Sequence, residues 1–401
     1  MLTRPEALRR PTMDAPLAVQ VVRQYAPSRG GLEDVVKNLS HQLLIRGYRV
    51  RVVTLERVFT ELESKLPHAE TIDGIEVVRV PFSGSTRYPI APGVFRHVRD
   101  ADIVHVHAID FFFDALAWGR FLHGKPMVAT THGGFFHTSR YAAFKAVWFN
   151  TLTRISSRAY DRLIGCSPQD ARLFRPIAGE RVIEIGNGAD TSKFHDAASH
   201  APVKRMATIG RFSINKRLDN LLDTMKALVA SDPDWHLDII GVPGNHSAAD
   251  IATMIAARRL EGNVEVHLGL PNQEIREVLG RSSFFASASE YEGFGLVAVE
   301  AMSAGLVPLL QPNTAYRDLA ARHSDIRLCD FGDADSAANM IPKEFDLLQR
   351  SGPSMRESAM QAASFYSWDK VAERYAEIYR DVLERNSSRR NTATHLEKHR
   401  A

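Results

Sequence analysis

The sequence is poor in cysteine and nearly neutral, and both features exclude classes of protein. Cys166 and Cys329 are the two cysteines among 401 residues. Two thiols cannot cross-link a chain of this length, so we expect a reducing compartment such as the cytosol. The 50 Lys and Arg residues nearly balance 47 Asp and Glu residues, which leaves a formal net charge of +3. Bulk charge therefore gives no ground for nucleic-acid binding, and we expect no nucleic-acid partner.

The sequence also lacks a long apolar run. Its most apolar stretch, 296–310, is interrupted by Glu300 and falls short of the about 20 apolar residues that span a bilayer. The basic N-terminal segment has no apolar centre, so it does not fit a secretory signal. We expect a flexible tail at 1–16 and, because the last residues are polar and aperiodic, a disordered tail at 386–401.

Short apolar runs alternate with helical patterns, and the alternation restarts near Lys204 after a connection rich in small and polar residues. This order predicts parallel sheets covered by helices on both faces. We therefore expect an α/β protein of two doubly wound, Rossmann-like domains that face a central cleft. The first would span 17–195 and be completed by a helix at 368–385, and the second would span 200–367. Ligands of such sheets bind beyond the carboxyl ends of the strands.

Two common nucleotide-binding motifs are missing. Neither G-x-G-x-x-G nor G-x-x-x-x-G-K-[ST] occurs, which argues against a dinucleotide oxidoreductase and a P-loop NTPase.

An acidic and glycine-containing segment, Tyr291–Gly305, is the strongest functional signal. Its carboxylates, Glu292 and Glu300, are eight residues apart and flank a turn between a strand and a helix. Backbone N–H groups at such a helix start suit a phosphate, and carboxylates accept hydrogen bonds from sugar hydroxyls. The alternative is a helix cap at Glu292 and a solvated residue at Glu300, but Glu300 stands among apolar residues. The turn consists of Gly293, Phe294, Gly295 and Leu296.

Three further patterns fit a ligand that carries both phosphate and sugar groups. Arg211 and Lys216 flank a loop between a strand and a helix, where two cations would stabilise a departing diphosphate; as an alternative they are surface cations. Gly30 and Gly31 open the first helix and allow close approach of a ligand, although a tight turn explains them equally well. His132 ends a strand beside two glycines, where cleft residues collect.

Other patterns are weaker. His105 and His107 alternate along a strand and could ligate a metal, but without an evident third ligand we interpret them as strand residues. Asp333 and Asp335 fit a turn or a cap. The segment 139–163 combines aromatic with basic residues. It could lie on an anionic membrane or pack on the sheet. Both arrangements predict the same spacing of apolar residues along a helix, so the sequence does not distinguish them.

Together these motifs resemble glycosyltransferase family 4, whose members are retaining enzymes with the GT-B fold. EGFGLVAVE is similar to the E-x7-E element of the family, and GRFSINK to its Arg…Lys element. STRYPIAP, HAIDFFFD, THGGFFHT and WFNTLTR resemble, within the family, the α-mannosyltransferases of xanthan- and acetan-type exopolysaccharide assembly. That resemblance implies transfer of mannose from GDP-mannose to cellobiose carried on a polyprenyl diphosphate.

The resemblance also implies roles for the residues above. Glu300 would hold the donor ribose, and Glu292 with the backbone amides of 293–296 would hold the donor sugar and phosphate. Arg211 and Lys216 would neutralise the diphosphate.

In the N-terminal domain, His132 would meet the transferred sugar, and Gly30 and Gly31 would line the diphosphate pocket. No metal and no cofactor would be needed. The enzyme would be cytoplasmic and would contact the inner face of the membrane, where 139–163 becomes useful. The alternatives are a family member with a UDP-sugar or another lipid acceptor, a GT-B-like sugar-nucleotide epimerase, and a non-catalytic sugar-nucleotide-binding protein.

Overall fold

A computed structural model describes residues 12–133, 146–351 and 353–398, with side chains as far as Ser388. The described chain forms two compact units: unit 1 extends to Asn187 and resumes at Trp368, and unit 2 is Gly188–Ser367. The boundary therefore lies before residue 195, where the sequence analysis ended the first domain. The reason is that most of the small, polar connection already belongs to unit 2, where Ala189 N donates to Tyr366 O at 2.7 Å and Phe194 is buried.

Unit 1 is built on an eight-stranded sheet in the order β10-β9-β8-β7-β1-β2-β4-β3. It is parallel except for β3, which pairs antiparallel with β4 at one edge. The chain moves outward from β1 to β2 and β4 and then returns to β7 on the other side of β1, so the strand order reverses between β1 and β7. The strands of unit 1, including the β5–β6 hairpin, are β1 (Leu17–Val21), β2 (Arg49–Leu55), β3 (Ala69–Ile72), β4 (Ile75–Val80), β5 (Ser83–Ser85), β6 (Tyr88–Ile90), β7 (Ile103–His107), β8 (Met127–Thr130), β9 (Arg162–Gly165) and β10 (Val182–Glu184).

Helices cover both faces of this sheet, which is why all five residues of β7 are buried. The helices of the described part of unit 1 are α1 (Gly31–Ile45), α2 (Val94–His97), α3 (Phe111–Trp118), α4 (Arg120–His123), α5 (Arg154–Ser157, after a π-helical turn at Phe149–Thr153), α6 (Pro168–Ala178) and α14 (Trp368–Lys398).

The last helix, α14, returns to unit 1 and packs in the same apolar cluster as α1. It continues to Lys398, so the prediction of disorder from 386 onward is wrong for 386–398. The physical reason is that 368–401 contains neither glycine nor proline, so nothing stops the helix where its apolar stripe ends. The predicted tail at 1–16 falls largely outside the described residues.

Unit 2 has a six-stranded parallel sheet in the order β13-β12-β11-β14-β15-β16. Its strand order reverses between β11 and β14. The strands are β11 (Arg205–Phe212), β12 (His236–Pro243), β13 (Val264–Leu268), β14 (Phe284–Ser287), β15 (Val307–Leu310) and β16 (Arg327–Leu328). The helices of its described part are α7 (Leu218–Ser231), α8 (Ala248–Ala256), α9 (Asn272–Leu279), α10 (Leu296–Ser303), α11 (Thr314–Ala320), α12 (Ala334–Ser351) and α13 (Pro353–Ser364).

None of the helices in the described ranges is long and apolar enough to cross a membrane.

Candidate active site

The loops that follow β11 and β14 meet where the strand order of unit 2 reverses. Lys216 Nζ lies 2.7 Å from Glu292 Oε1, and both side chains are about four-fifths buried, with 21% and 18% exposed. Asn215 also connects the two loops by hydrogen bonds. Its side-chain Nδ2 donates to Tyr291 O at 2.7 Å, and its backbone carbonyl accepts from Glu290 N at 3.0 Å. The structure thus joins two residues predicted for the site, at the place where open α/β sheets bind ligands.

The start of α10 offers backbone donors beside this pair. Gly295 precedes the helix with φ 89°, and among the described residues no side chain caps the helix start. Glycine is required here, because a Cβ on Gly295 would also come within 2.7 Å of Tyr316 Cε1. Phe294 packs its ring on Tyr366, with centroids 5.4 Å apart. The first N–H groups of α10, beginning at Leu296, therefore remain able to bind an anion.

Glu300 lies in the second turn of α10 and is paired with a lysine that the sequence analysis missed. Its Oε2 is 3.3 Å from Lys193 Nζ, and its side chain is 16% exposed. Burial raises the pKa of Glu300 above its usual value, while Lys193 opposes that shift. Lys193 is 107 residues away along the chain, in a segment that the composition marked as a connection, so no local pattern pointed to it.

Arg211 differs from Lys216, the other predicted diphosphate cation. It is exposed at the end of β11, and it forms no ion pair with any residue that the structure describes. The backbone of Gly244 packs against the Arg211 side chain, and a Cβ on Gly244 would lie only 2.7 Å from Arg211 Cγ. One predicted cation is therefore free to meet an anion, whereas the other is neutralised by Glu292.

His132 lies two residues after Thr130, the last residue of β8 in unit 1, and has a left-handed backbone of φ 50°. Its Nε2 is 3.0 Å from His107 Nδ1, and its Nδ1 is 3.6 Å from Cys166 Sγ. Burial lowers the pKa of His132 to about 3, so the imidazole is neutral at physiological pH. The remainder of the THGGFFHT segment from residue 134 lies outside the described residues.

Gly30 and Gly31 open α1 as predicted from the sequence, with Gly30 at the cap position. Gly30 has an extended backbone, and a Cβ there would lie 2.5 Å from Glu33 Oε2, the end of a flexible side chain. A Cβ on Gly31 would meet nothing within 4 Å. Their place on the diphosphate remains a prediction.

The weaker motifs have structural roles. His105 and His107 lie fully buried in β7 with hydrogen-bond partners rather than in a ligand set. Asp333 Oδ1 accepts from Ser336 N at 3.0 Å at the start of α12, which confirms the predicted cap. Of the segment 139–163, residues 139–145 lie outside the described residues, and Phe149 is buried.

Within the described ranges, one group of side chains has the spacing of metal ligands: Asp238, Glu265 and His267, with ligand atoms within 4.8 Å. The guanidinium of Arg205 already pairs with both carboxylates, at 2.6 Å from Asp238 Oδ2 and 2.8 Å from Glu265 Oε1. Arg205 begins β11 and Asp238 is the third residue of β12, so the group lies away from the carboxyl ends of these strands, where Lys216 follows β11. We interpret it as an ion-pair cluster around the buried Asp238.

Comparison with solved structures identifies the fold. The chain aligns with sucrose-phosphate synthase from Thermosynechococcus elongatus at TM-score 0.66 and 17% identity, covering 92% of this chain and 99% of the other. It aligns with Anabaena HepE in complex with UDP at TM-score 0.69 and 17% identity, covering 91% and 100%. The GT-B fold predicted from the sequence, with two Rossmann-like domains, is confirmed.

Family models and relatives then identify the family. The model described as Glycosyltransferase Family 4 matches residues 29–193, and the model described as Glycosyl transferases group 1 matches 192–347. The chain belongs to glycosyltransferase family 4.

Its similar relatives include two bacterial enzymes named GDP-mannose:cellobiosyl-diphosphopolyprenol α-mannosyltransferase. The one from Komagataeibacter xylinus is 41% identical, over 94% of this chain and 95% of its own length. The one from Xanthomonas campestris is 39% identical, over 91% and 97%. A phosphatidyl-myo-inositol mannosyltransferase of Mycobacterium tuberculosis is 26% identical, over 88% and 93%.

Proposed function

We propose that this chain is a retaining α-mannosyltransferase of exopolysaccharide biosynthesis. It transfers mannose from GDP-mannose to an oligosaccharide, cellobiose, linked to a polyprenyl diphosphate. The observation that carries the proposal is the identity of 39–41% with two enzymes of that name over at least 91% of this chain. The paired Lys216 and Glu292 beside the uncapped start of α10 support it.

The chemistry follows from charge. As the glycosidic bond breaks, negative charge accumulates on the departing diphosphate. Positive charge and N–H donors lie at the carboxyl ends of the unit 2 strands, supplied by Arg211, Lys216 and the N-terminus of α10. Such groups stabilise the transition state more than the ground state, because the negative charge of the leaving group develops there. Glu300 accepts hydrogen bonds from the donor ribose, and Glu292 from the donor sugar.

Retention of configuration would follow from a front-face displacement, in which the donor phosphate helps to deprotonate the acceptor hydroxyl. This reaction needs no metal, because the cations and the helix start supply the positive charge. Activity that survives chelation by EDTA supports this part of the proposal, and activity restored only by a divalent ion contradicts it.

We further propose that unit 1 binds the anionic cytoplasmic face of the membrane that carries the acceptor. Two apolar side chains of α4 are strongly exposed, Phe121 at 84% and Leu122 at 63%. Arg154 and Arg158 are exposed as well, and neither has an ion-pair partner in the part of the chain that the structure describes. Exposed apolar side chains beside free arginines fit an anionic lipid surface.

These residues lie on neighbouring elements, because Arg120 of α4 contacts Asp161 at 3.2 Å, shortly after α5. Changing both Phe121 and Leu122 to serine should weaken sedimentation with anionic vesicles while leaving the melting temperature unchanged. Serine in place of the exposed Ile214 of unit 2 is the control. Equal binding to neutral and anionic vesicles, or no loss in the double variant, contradicts the membrane surface.

The function is tested by measuring release of GDP or UDP from a panel of sugar nucleotides, with and without extracted polyprenyl-linked acceptors. We expect GDP release from GDP-mannose that depends on the cellobiose-bearing lipid, and a product cleaved by an α-mannosidase. UDP release, or transfer to phosphatidylinositol, would identify another branch of the family. Interconversion of donor sugars without acceptor would identify an epimerase, and no release at all a binding protein.

A further inference from the structure

A continuous path of buried hydrogen bonds leads from the C-terminal helix α14 to His132. Tyr379 Oη is 3.1 Å from Gln20 Nε2 and 2.6 Å from His105 Nδ1. Gln20 Oε1 is 2.8 Å from His107 Nε2, and His107 Nδ1 is 3.0 Å from His132 Nε2. Gln20, His105, His107 and Tyr379 are all 0% exposed, so solvent does not compete for these bonds.

The order of these contacts fixes which nitrogen of each ring carries the proton. Gln20 Oε1 can only accept, so His107 Nε2 must donate to it. Burial lowers the pKa of His107 well below its usual value, so this imidazole is neutral and its Nδ1 is an acceptor. The contact between His107 and His132 therefore requires a proton on His132 Nε2.

The other nitrogen of His132 is left with a lone pair and a weak partner. His132 is neutral, so its Nδ1 accepts, and its neighbour Cys166 Sγ is 3.6 Å away. Burial raises the pKa of the Cys166 thiol, so it stays an S–H donor, which forms only weak hydrogen bonds. Asp170 is the nearby carboxylate, but it accepts from the backbone N of Cys166 at 3.1 Å and of Gly133 at 3.3 Å rather than from the ring.

We propose that Gln20 and His107 are positioning residues that hold His132 in one orientation and one tautomer, with Nε2 protonated and Nδ1 kept as an acceptor for a sugar hydroxyl. A sugar O–H is a stronger donor than the thiol and replaces it at Nδ1 when substrate binds. The role of the sugar rests on the proposed function, whereas the tautomer does not. In the opposite tautomer, Nδ1 would carry a proton and would repel the donor side of that hydroxyl.

The tautomer is tested on the whole protein without substrate. Labelling the histidines with ¹⁵N and recording their ring signals distinguishes protonated from unprotonated nitrogens, and a His132→Asn variant assigns the signals of His132. We expect His132 with its proton on Nε2 and no titration between pH 5 and 9. A proton on Nδ1, or a positively charged ring near neutrality, overturns the proposal.

The positioning role is tested with variants in β7. His107→Leu removes the acceptor for His132, whereas in His107→Asn the amide oxygen takes the place of Nδ1. His105→Leu is the matched control, because His105 lies in the same strand, is equally buried, and has no hydrogen bond to His132.

We expect His107→Leu to lower kcat for transfer from GDP-mannose by about tenfold or more relative to His105→Leu, as the loss of an orienting partner of histidine does at metal sites. His107→Asn should recover most of the rate. Equal rates in His107→Leu and His105→Leu, or no recovery with asparagine, contradict the positioning role.

Gln20→Leu gives a second readout if His107→Leu does not fold, since it removes the acceptor that sets the His107 tautomer. A mixture of His132 tautomers in this variant supports the proposal, and an unchanged spectrum contradicts it. If the unaltered protein transfers no mannose, the proposed function fails, and the histidine spectrum still decides the tautomer.

Discussion

At the scale of single residues, Lys216 and Glu292 form a largely buried ion pair in the site that we propose for an anionic ligand. The two side chains are about four-fifths buried, so each would pay a large desolvation cost alone, and their contact offsets it. If Lys216 binds the donor diphosphate as we propose, the diphosphate competes with the carboxylate of Glu292, which then becomes available to sugar hydroxyls. On this proposal, donor binding exchanges the contact between Lys216 and Glu292 for separate contacts of each side chain with the donor.

Replacing Lys216 by alanine should lower turnover by about a hundredfold or more, because the variant loses a cation that stabilises the negative charge developing on the leaving group. Rates of GDP release at saturating donor measure this. Lys226→Ala is the control, since Lys226 is exposed on α7 of the same unit. Unchanged turnover in Lys216→Ala would remove Lys216 from the site.

Asp238 provides a pH-dependent prediction outside the site. Burial acts to raise the pKa of Asp238, but hydrogen bonds from Arg205 and His267 outweigh it and hold the pKa below the ordinary value of 3.8. A lowered carboxyl pKa stabilises the fold above the unfolded-state value, and this contribution is lost as the pH falls through the folded-state value.

Asp238→Asn should therefore reduce the free energy of unfolding at pH 7 by up to about 3–5 kcal/mol, the cost of breaking a buried ion pair. The difference from the unaltered protein should narrow only when the pH falls below 3.8. Urea unfolding over a pH series measures both effects, with the exposed Asp234→Asn as reference. A difference that stays constant down to acid pH would show that the charge of Asp238 is not the cause.

At the scale of elements, α10 depends on the turn that precedes it. Gly295 has a left-handed backbone and packs against Tyr316, so the direction of the helix start is set by a residue without a side chain. Gly293, two residues earlier, has open space around its Cβ position. The two glycines of the same motif therefore have different physical roles, which their spacing alone does not distinguish.

Gly295→Ala should destabilise unit 2 by about 1–3 kcal/mol, because alanine is strained in this conformation, and it should weaken donor binding. Gly293→Ala should leave the melting temperature unchanged and can affect only a ligand that approaches closely. Calorimetry and titration with GDP separate the two effects. Equal melting temperatures for the two variants would contradict the role assigned to Gly295.

At the scale of the whole molecule, the chain closes unit 1 with its last helix. Tyr375 and Tyr379 of α14 are buried at 2% and 0% exposure, in the same cluster as Val36 and Leu39 of α1. Tyr379 is also the far end of the buried path to His132. Unit 1 is therefore incomplete until residues 368–382 have been synthesised.

Removing residues 368–401 should leave unit 1 without one side of its core, so we expect an aggregated protein without activity. Removing only residues 389–401 should preserve solubility and turnover, because it leaves the buried tyrosines in place. Size-exclusion chromatography and the mannose-transfer assay compare the two truncations. A soluble and active product of the larger deletion would show that α14 does not complete the unit.

Local patterns predicted the fold class, the strands after which the proposed site residues lie, and the E-x7-E helix. They could not predict the partners of these residues, since Lys193 is 107 residues from Glu300 and Gln20 is 359 residues from Tyr379. The apolar period of 139–163 likewise did not indicate which side chains are buried, and Phe149 proves to be a core residue.

The sequence by itself determined the α/β architecture and the family, because the hydrophobic period and the motif spacing are properties of neighbouring residues. Only the tertiary structure decided that Lys216 pairs with Glu292, that Arg211 stays free and that His132 hydrogen-bonds to His107. Those contacts depend on which strand ends lie next to each other in the parallel sheets. Strands that are far apart in the sequence pair there, and no local sequence pattern specifies that pairing.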